Sequence, residues 1–206
     1  MGCGPGGITF PIASLGCSVR AFDMLESTVS NLNQKIRDEK ITNLQVSVDN
    51  GYNFNFNEQY DVVIASEVFE HVLEPETLAS NISNHMSRGS YLIITTPNGY
   101  GPWEIKNFLN PINHMKKWSF LRKMYGKKPY VFGSGIDHCQ FYTRKRLIKL
   151  FSDSSFRLSS NQSSDSLLTF LPLITKSKII SKIDIKMADI LPFSLASGWY
   201  FNFIKD

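Results

Sequence analysis

The chain has 206 residues, 42% of them hydrophobic and 13% aromatic, which is enough to bury the core of one domain. The charge-free stretch 190–204 is broken by Pro192 and Gly198 and is too short to span a bilayer. The formal net charge of +4 hides an uneven split: residues 1–103 carry 5 basic and 11 acidic side chains, and residues 104–206 carry 17 basic and 7 acidic. The basic half suits an acidic ligand or an anionic membrane surface, and equally a solvated lysine-rich face. Cys3, Cys17 and Cys139 have the spacing of neither a disulfide framework nor a metal cluster, and no basic segment leads into an apolar export core. A cytoplasmic protein with reduced thiols and no metal is expected.

In chain order, the periodicity alternates between helix and strand. Residues 5–16 read as a short helix stopped by Gly16, and 18–22 as a strand. Residues 25–40 read as a helix that buries Val29, Leu32 and Ile36, and 44–48 as a strand with strict alternation. The apolar run 61–65 predicts a parallel strand covered on both faces. A helix at 75–86, a turn at Arg88-Gly89 and a strand at 91–95 complete a regular βα series. Beyond Pro97 the segment 98–135, rich in Gly, Pro, aromatics and Lys, is too long for a plain connection and reads as an insertion or lid. A helix at 143–151 and strands at 156–161 and 199–204 follow, with an amphipathic segment at 167–191 that covers the domain or touches a membrane. The expected fold is one α/β domain with a doubly wound, Rossmann-like sheet, mostly parallel with an antiparallel C-terminal strand.

Open α/β sheets bind ligands at the carboxyl ends of their strands, and the chemistry-bearing residues fall there. The opening "MGCGPGG" fits G-x-G-x-G at Gly2, Gly4 and Gly6, and equally G-x-G-x-x-G at Gly2, Gly4 and Gly7. Glycine at such points lets the backbone turn sharply and approach a ligand. Asp23 ends the next strand, where a carboxylate either accepts from both hydroxyls of a ribose or caps the following helix. Asp49-Asn50 ends the strand after that, either beside an adenine edge or as a plain turn. Short-chain reductases need Tyr with Lys four residues later, and none of the eight tyrosines has it.

Together these residues resemble a class I S-adenosylmethionine-dependent methyltransferase of the branch related to quinone-biosynthesis O-methyltransferases. "GCGPGG" resembles the cofactor loop, "VRAFDM" the ribose-binding strand end and "VSVDN" the adenine-side strand. "YDVVIASEVFEHV" is the most specific piece, because the fourth strand of this branch runs into a Glu-His pair, here Glu70-His71. "ITTPNGYG", "DHCQFYTRKRLIKLF" and "LASGWYFNFIK" follow in the family's order. The resemblance implies S-adenosylmethionine as cofactor, held by Gly2, Cys3, Gly4, Gly6, Asp23, Met24, Asp49, Asn50, Ser66 and Glu67. It also implies that the family's first central strand, which precedes the glycine loop, is absent from this sequence.

The implied reaction is methyl transfer to a small-molecule acceptor, a hydroxyl by expectation, with the protein supplying alignment and water exclusion. A hydroxyl must lose its proton, and His71, His114 and His138 are the candidates; for His71 and His138 a catalytic and a supporting role are both open. The alternatives are a truncated or inactive relative without catalysis and, less favoured, a nicotinamide-dependent enzyme. No nucleic-acid-binding module is recognised. The lysine-rich segments point to an acidic, saccharide or lipid-linked acceptor. Changing Lys116, Lys117, Lys127 and Lys128 to Gln is expected to raise the acceptor's KM at least tenfold in a radiolabelled-methyl assay, and an unchanged KM would refute an acidic acceptor.

Overall fold

The computed structural model describes residues 1–52, 54, 56, 58–101, 138–164, 184, 186–188, 190 and 192–206. Residues 102–135 of the expected insertion at 98–135, the four lysines above, His114 and most of 167–191 fall outside that set. Helix α1 covers only Thr9–Ser14. The expected start at residue 5 fails because Gly6 takes a φ of +84°, outside any α-helix. Strands β1 (Val19–Asp23) and β2 (Leu44–Val48) pair in parallel around the crossover helix α2 (Glu26–Asp38). Val29 and Leu32 of α2 pack with Ala13, Ala21, Leu44 and Val46 in a small core.

A second βαβ unit follows, from β3 (Tyr60–Ser66) through α3 (Pro75–Asn84) to β4 (Met86–Pro97), again parallel. A 3-10 turn at Phe69–His71 leads from β3 towards α3, whose first residue is a proline with φ suited to that position. Helix α4 (Arg144–Asp153) is capped by the Thr143 hydroxyl, which accepts from the Arg146 amide at 3.1 Å. Strand β5 (Phe156–Ser163) comes next, and β6 (Gly198–Lys205) runs antiparallel between β4 and β5. Leu92 and Ile94 of β4 and Phe201 and Phe203 of β6 are fully buried. They join Leu78 and Ile82 of α3 and Leu147 and Phe151 of α4 in the main core. None of the described helices is long and apolar enough to cross a membrane.

The α/β class and the antiparallel last strand are as expected, but the strands form two sheets, β1-β2 and β3-β4-β6-β5. Among the described residues no strand pairs across the gap. Residues 1–3 bridge it instead: the Met1 ammonium donates to the Ile64 carbonyl of β3 at 2.9 Å, and the Cys3 amide donates to the Phe22 carbonyl of β1 at 3.0 Å. Burial pulls the ammonium pKa down.

Two expectations are corrected. Arg88-Gly89 does not end one element and begin another, because β4 already starts at Met86. These residues form a bulge between the Tyr60–Met86 and Val62–Tyr91 pairs, which Gly89 permits with a φ of +88°. Strand β3 is also not covered on both faces: Val63 and Ala65 are buried, while Val62 and its partner Tyr91 are each 48% exposed. An apolar run does not itself specify a second covering layer.

Phe203 meets the Phe151 ring at 4.7 Å and stacks on Phe201 at 5.9 Å, with no solvent exposure. Phe203→Ala is expected to cost about 3–5 kcal/mol by equilibrium urea unfolding, since the cavity lies where helix and sheet meet.

Candidate functional site

The glycine loop is built as the three-glycine spacing requires. Gly2, Gly4 and Gly6 have φ values of +57°, +47° and +84°, whereas Gly7 is not left-handed, so the backbone follows G-x-G-x-G. A Cβ at Gly6 would stand 2.7 Å from the Phe10 ring, while one at Gly4 would meet nothing within 4 Å. Gly4 therefore borders open space with only its backbone. Cys3 takes part through its main chain: its amide donates to Phe22 and its carbonyl accepts from Gly6, while the half-buried side chain packs on the small core. Burial raises the Cys3 thiol pKa and the nearby Asp23 adds to this, which keeps the thiol uncharged.

Asp23 fastens this loop to the strand end. Its Oδ2 accepts from the Gly4 amide at 2.8 Å and its Oδ1 from the Leu25 amide at 3.0 Å. The N-cap of α2 is Leu25, so Asp23 is not that helix's cap residue. Each carboxylate oxygen keeps a second lone pair for an added donor such as a ribose hydroxyl. Met24, just beyond, is 71% exposed at the mouth of the same strand end. Asp49 donates its amide to the Asp23 carbonyl at 3.1 Å, which brings the two strand ends together. Its Oδ1 accepts from the Asn50 amide at 2.7 Å and Asn50 Oδ1 accepts from the Tyr52 amide at 3.0 Å, so both side chains shape a turn. The Tyr52 hydroxyl then accepts from the Leu73 amide at 2.9 Å, tying this turn to the chain beyond the 3-10 turn.

At the end of β3 the backbone is strained. Glu67 has a φ of +54°, a left-handed geometry that costs a non-glycine residue about 1–3 kcal/mol. Thr95 of β4 holds it from two sides: the Thr95 carbonyl accepts from the Glu67 amide at 3.0 Å, and the Thr95 hydroxyl donates to Glu67 Oε1 at 2.8 Å. The Ser66 hydroxyl meets the same Thr95 hydroxyl at 2.7 Å. Next along, Glu70 is 1% exposed; its Oε2 accepts from the Thr96 hydroxyl at 3.3 Å and its Oε1 has no hydrogen-bond partner. Burial pushes the Glu70 pKa up to about 8, the neighbouring Glu67 charge adds to this, and His138 opposes it.

The cluster is completed from a distant part of the chain. His71 Nε2 lies 3.9 Å from Glu70 Oε1, and the His71 and His138 rings meet edge to face with centroids 5.0 Å apart. Glu70, His71 and His138 each offer a ligand atom within 4.8 Å of the others, a spacing that suits proton transfer or a cation. His138 is held there by its successors: the Cys139 and Gln140 amides both donate to the Glu70 carbonyl, at 2.8 and 3.0 Å. His85 stands apart, hydrogen-bonded to the Asn81 carbonyl and packed 4.5 Å from the Phe54 ring. A surface depression of about 850 Å³ between α1 and the end of α2 is lined by Lys35, Lys40 and Asn43, and of the site residues only Gly6 reaches it. Thr95 and Thr96, whose hydroxyls hold Glu67 and Glu70, belong to this constellation without having been expected there; a Thr pair ending the strand beside a Glu-bearing strand end was the available signal.

Residues 1–161 match the family described as "Methyltransferase domain". The chain belongs to this methyltransferase family. It is 36% identical over 100 residues to the ubiquinone biosynthesis O-methyltransferase of Rickettsia typhi, a match covering 48% of this chain and 39% of that protein. The chain thus spans about two fifths of the length of its curated relatives. Among solved structures it superposes on an S-adenosylmethionine-dependent methyltransferase from Methanosarcina mazei with a TM-score of 0.66 at 16% identity, covering 99% of this chain and 89% of that one. The magnesium protoporphyrin IX methyltransferase of Synechocystis PCC 6803, solved with S-adenosylhomocysteine bound, gives 0.60 at 15% identity, covering 100% and 71%. At these identities the structures establish the methyltransferase fold.

The buried carboxyl of Glu70 makes methyltransferase stability pH-dependent. Because its pKa is raised on folding, the folded protein keeps a proton that the unfolded chain releases above about pH 4.5, so stability falls as pH rises towards 8. Glu70→Gln removes that penalty and is expected to gain about 1–3 kcal/mol at pH 8 in chelator-containing buffer, with the gain vanishing near pH 5, as read by thermal melts.

Proposed function

We propose that this chain transfers the methyl group of S-adenosylmethionine to a hydroxyl of a small molecule. The observation that carries the proposal is the left-handed glycine loop locked onto Asp23 at one strand end. It opens beside a strained, threonine-held acidic turn at the end of β3. Family membership supports the same reading, as do the O-methyltransferase relatives. Gly2, Gly4 and Gly6 bring their backbone close to the cofactor, and Asp23 accepts from its ribose. Asp49 and Asn50 border the base, while Ser66 and Glu67 border the methionine portion.

In the transfer step, the bond from the methyl carbon to the sulfonium sulfur breaks, and its electron pair stays on sulfur as the thioether of S-adenosylhomocysteine. A bond forms from the acceptor oxygen to the same carbon, and the hydroxyl proton passes to an imidazole of the Glu70, His71 and His138 cluster. The cofactor supplies the leaving group, so the protein's contribution is alignment and proton uptake. We assign acceptor selectivity to the segments 98–135 and 167–191, on the strength of their lysines.

Isothermal titration with S-adenosylhomocysteine tests the cofactor half of this proposal. Binding is expected in the wild-type chain and at least tenfold weaker in Asp23→Ala, which loses the fastening of Gly4 and Leu25. Absence of binding in the wild-type chain would refute the reading. His71→Gln is expected to lower kcat about 10²–10⁴-fold while leaving that binding intact.

A further inference from the structure

We propose that Gly99 is a positioning residue for methyl transfer: lacking a side chain, it lets the exit of β4 lie directly on the backbone of residues 141–142, and this contact holds the His138 imidazole against His71. The inference rests on the reading that an imidazole of this cluster takes up the acceptor's proton. A Cβ on Gly99 would stand 2.5 Å from the Tyr142 nitrogen, and 2.7 and 2.8 Å from the carbonyl carbon and Cα of Phe141. All three are backbone atoms, so no change of rotamer relieves the overlap. Gly99 does not have a left-handed φ, so it is space and not conformation that calls for glycine here. The close approach is also hydrogen-bonded, because the Gly99 amide donates to the Tyr142 carbonyl at 3.0 Å.

A side chain at this position would displace residues 141–142 and not β4, because β4 is locked from the other side. The buried Asn98 donates its amide to the Ser197 carbonyl at 2.9 Å, and its Nδ2 to the Ser194 and Ala196 carbonyls at 2.8 and 2.9 Å. Residues 139–142 are thus clamped between Gly99 and the turn after β3, where the Glu70 carbonyl accepts from the Cys139 and Gln140 amides. Restoring an ordinary contact of 3.4 Å or more requires a shift of about 1 Å, which reaches His138 only three residues before Phe141. The His71 and His138 rings meet edge to face with centroids 5.0 Å apart, and a shift of that size breaks the contact. Misplacing a reacting group by about 1 Å costs on the order of 10²-fold in rate. The second glycine of "NGYG" faces the other way: a Cβ on Gly101 would stand 2.8 Å from the Ala196 carbonyl oxygen. It is equally crowded by backbone, but away from His138.

The test compares Gly99→Ala with Gly101→Ala. Proton NMR reads the nuclear Overhauser contact between the two imidazole rings, and radiolabelled methyl transfer to 3,4-dihydroxybenzoate, an acidic hydroxyl probe, reads kcat. Gly99→Ala is expected to stay folded in thermal melts, to lose the ring contact and to lower kcat about ten- to hundredfold. Its affinity for S-adenosylhomocysteine by calorimetry is expected to stay within about threefold of wild type, since the glycine loop and Asp23 are untouched. Gly101→Ala is expected to lower the melting temperature while keeping both the ring contact and kcat. In a His138→Gln background, Gly99→Ala is expected to lower kcat no further. An intact ring contact in Gly99→Ala, a Gly99→Ala chain that does not fold, equal loss of the contact in Gly101→Ala, or a full additional loss of kcat in the His138→Gln background would each overturn the proposal. A wild-type chain that neither binds S-adenosylhomocysteine nor methylates the probe would overturn the methyl-transfer reading, whereas the ring contact still decides whether Gly99 places His138.

Discussion

One carbonyl oxygen, that of Glu70, holds the two halves of the candidate site together. It accepts two amide hydrogens, from Cys139 and Gln140, and thereby anchors a segment far downstream to the turn after β3. Further contacts reinforce the anchor: Gln140 Nε2 donates to the Leu73 carbonyl at 3.4 Å and the buried Tyr142 hydroxyl to the Phe69 carbonyl at 3.3 Å. Each neutral hydrogen bond contributes only about 1 kcal/mol net, but buried backbone groups without partners would cost more, so the register is strongly preferred. Without this anchor His138 has no reason to face His71, and Glu70 has one imidazole in reach.

The site is also a balance between strain and support. Glu67 in left-handed geometry costs about 1–3 kcal/mol, and its two bonds to Thr95 offset a cost of that size. Glu70 stores more, through burial of a carboxyl with an unsatisfied oxygen. Both residues follow the end of strand β3 and bond to a threonine of strand β4, so the parallel pairing of Ser66 with Thr95 sets the geometry of the acidic turn. Packing under this turn is rigid, since Phe69 is fully buried against Phe151 at 4.9 Å.

Much of this was legible in the residues. The strand 44–48 was read to its exact bounds, because strict alternation leaves one register for a half-buried strand. The glycine loop and Asp23 were legible because their chemistry is local: Gly4 and Asp23 belong to consecutive elements of one βα unit. The bulge at 87–90 was not, since Arg88-Gly89 has the composition of a turn and only the paired strand distinguishes the two. Nor was the Glu70, His71 and His138 cluster, whose members meet through contacts between segments that no local pattern links. The open face of β3 escaped notice for the opposite reason: hydrophobicity reports what a strand tolerates, and Val62 tolerates both burial and exposure.

Strand β6 carries a kinetic consequence. It lies between β4 and β5, pairing Thr95 with Tyr200, about a hundred residues downstream, so the four-stranded sheet closes only through a long-range contact. Until β6 docks, β4 and β5 each present an unpaired edge and Leu92 and Ile94 lack their aromatic cover. The two βαβ units rest on pairings between neighbouring elements, whereas the sheet that backs the candidate site is complete only with β6 in place. A chain in which β6 is undocked therefore leaves those edges uncovered, the condition in which such sheets associate edge to edge.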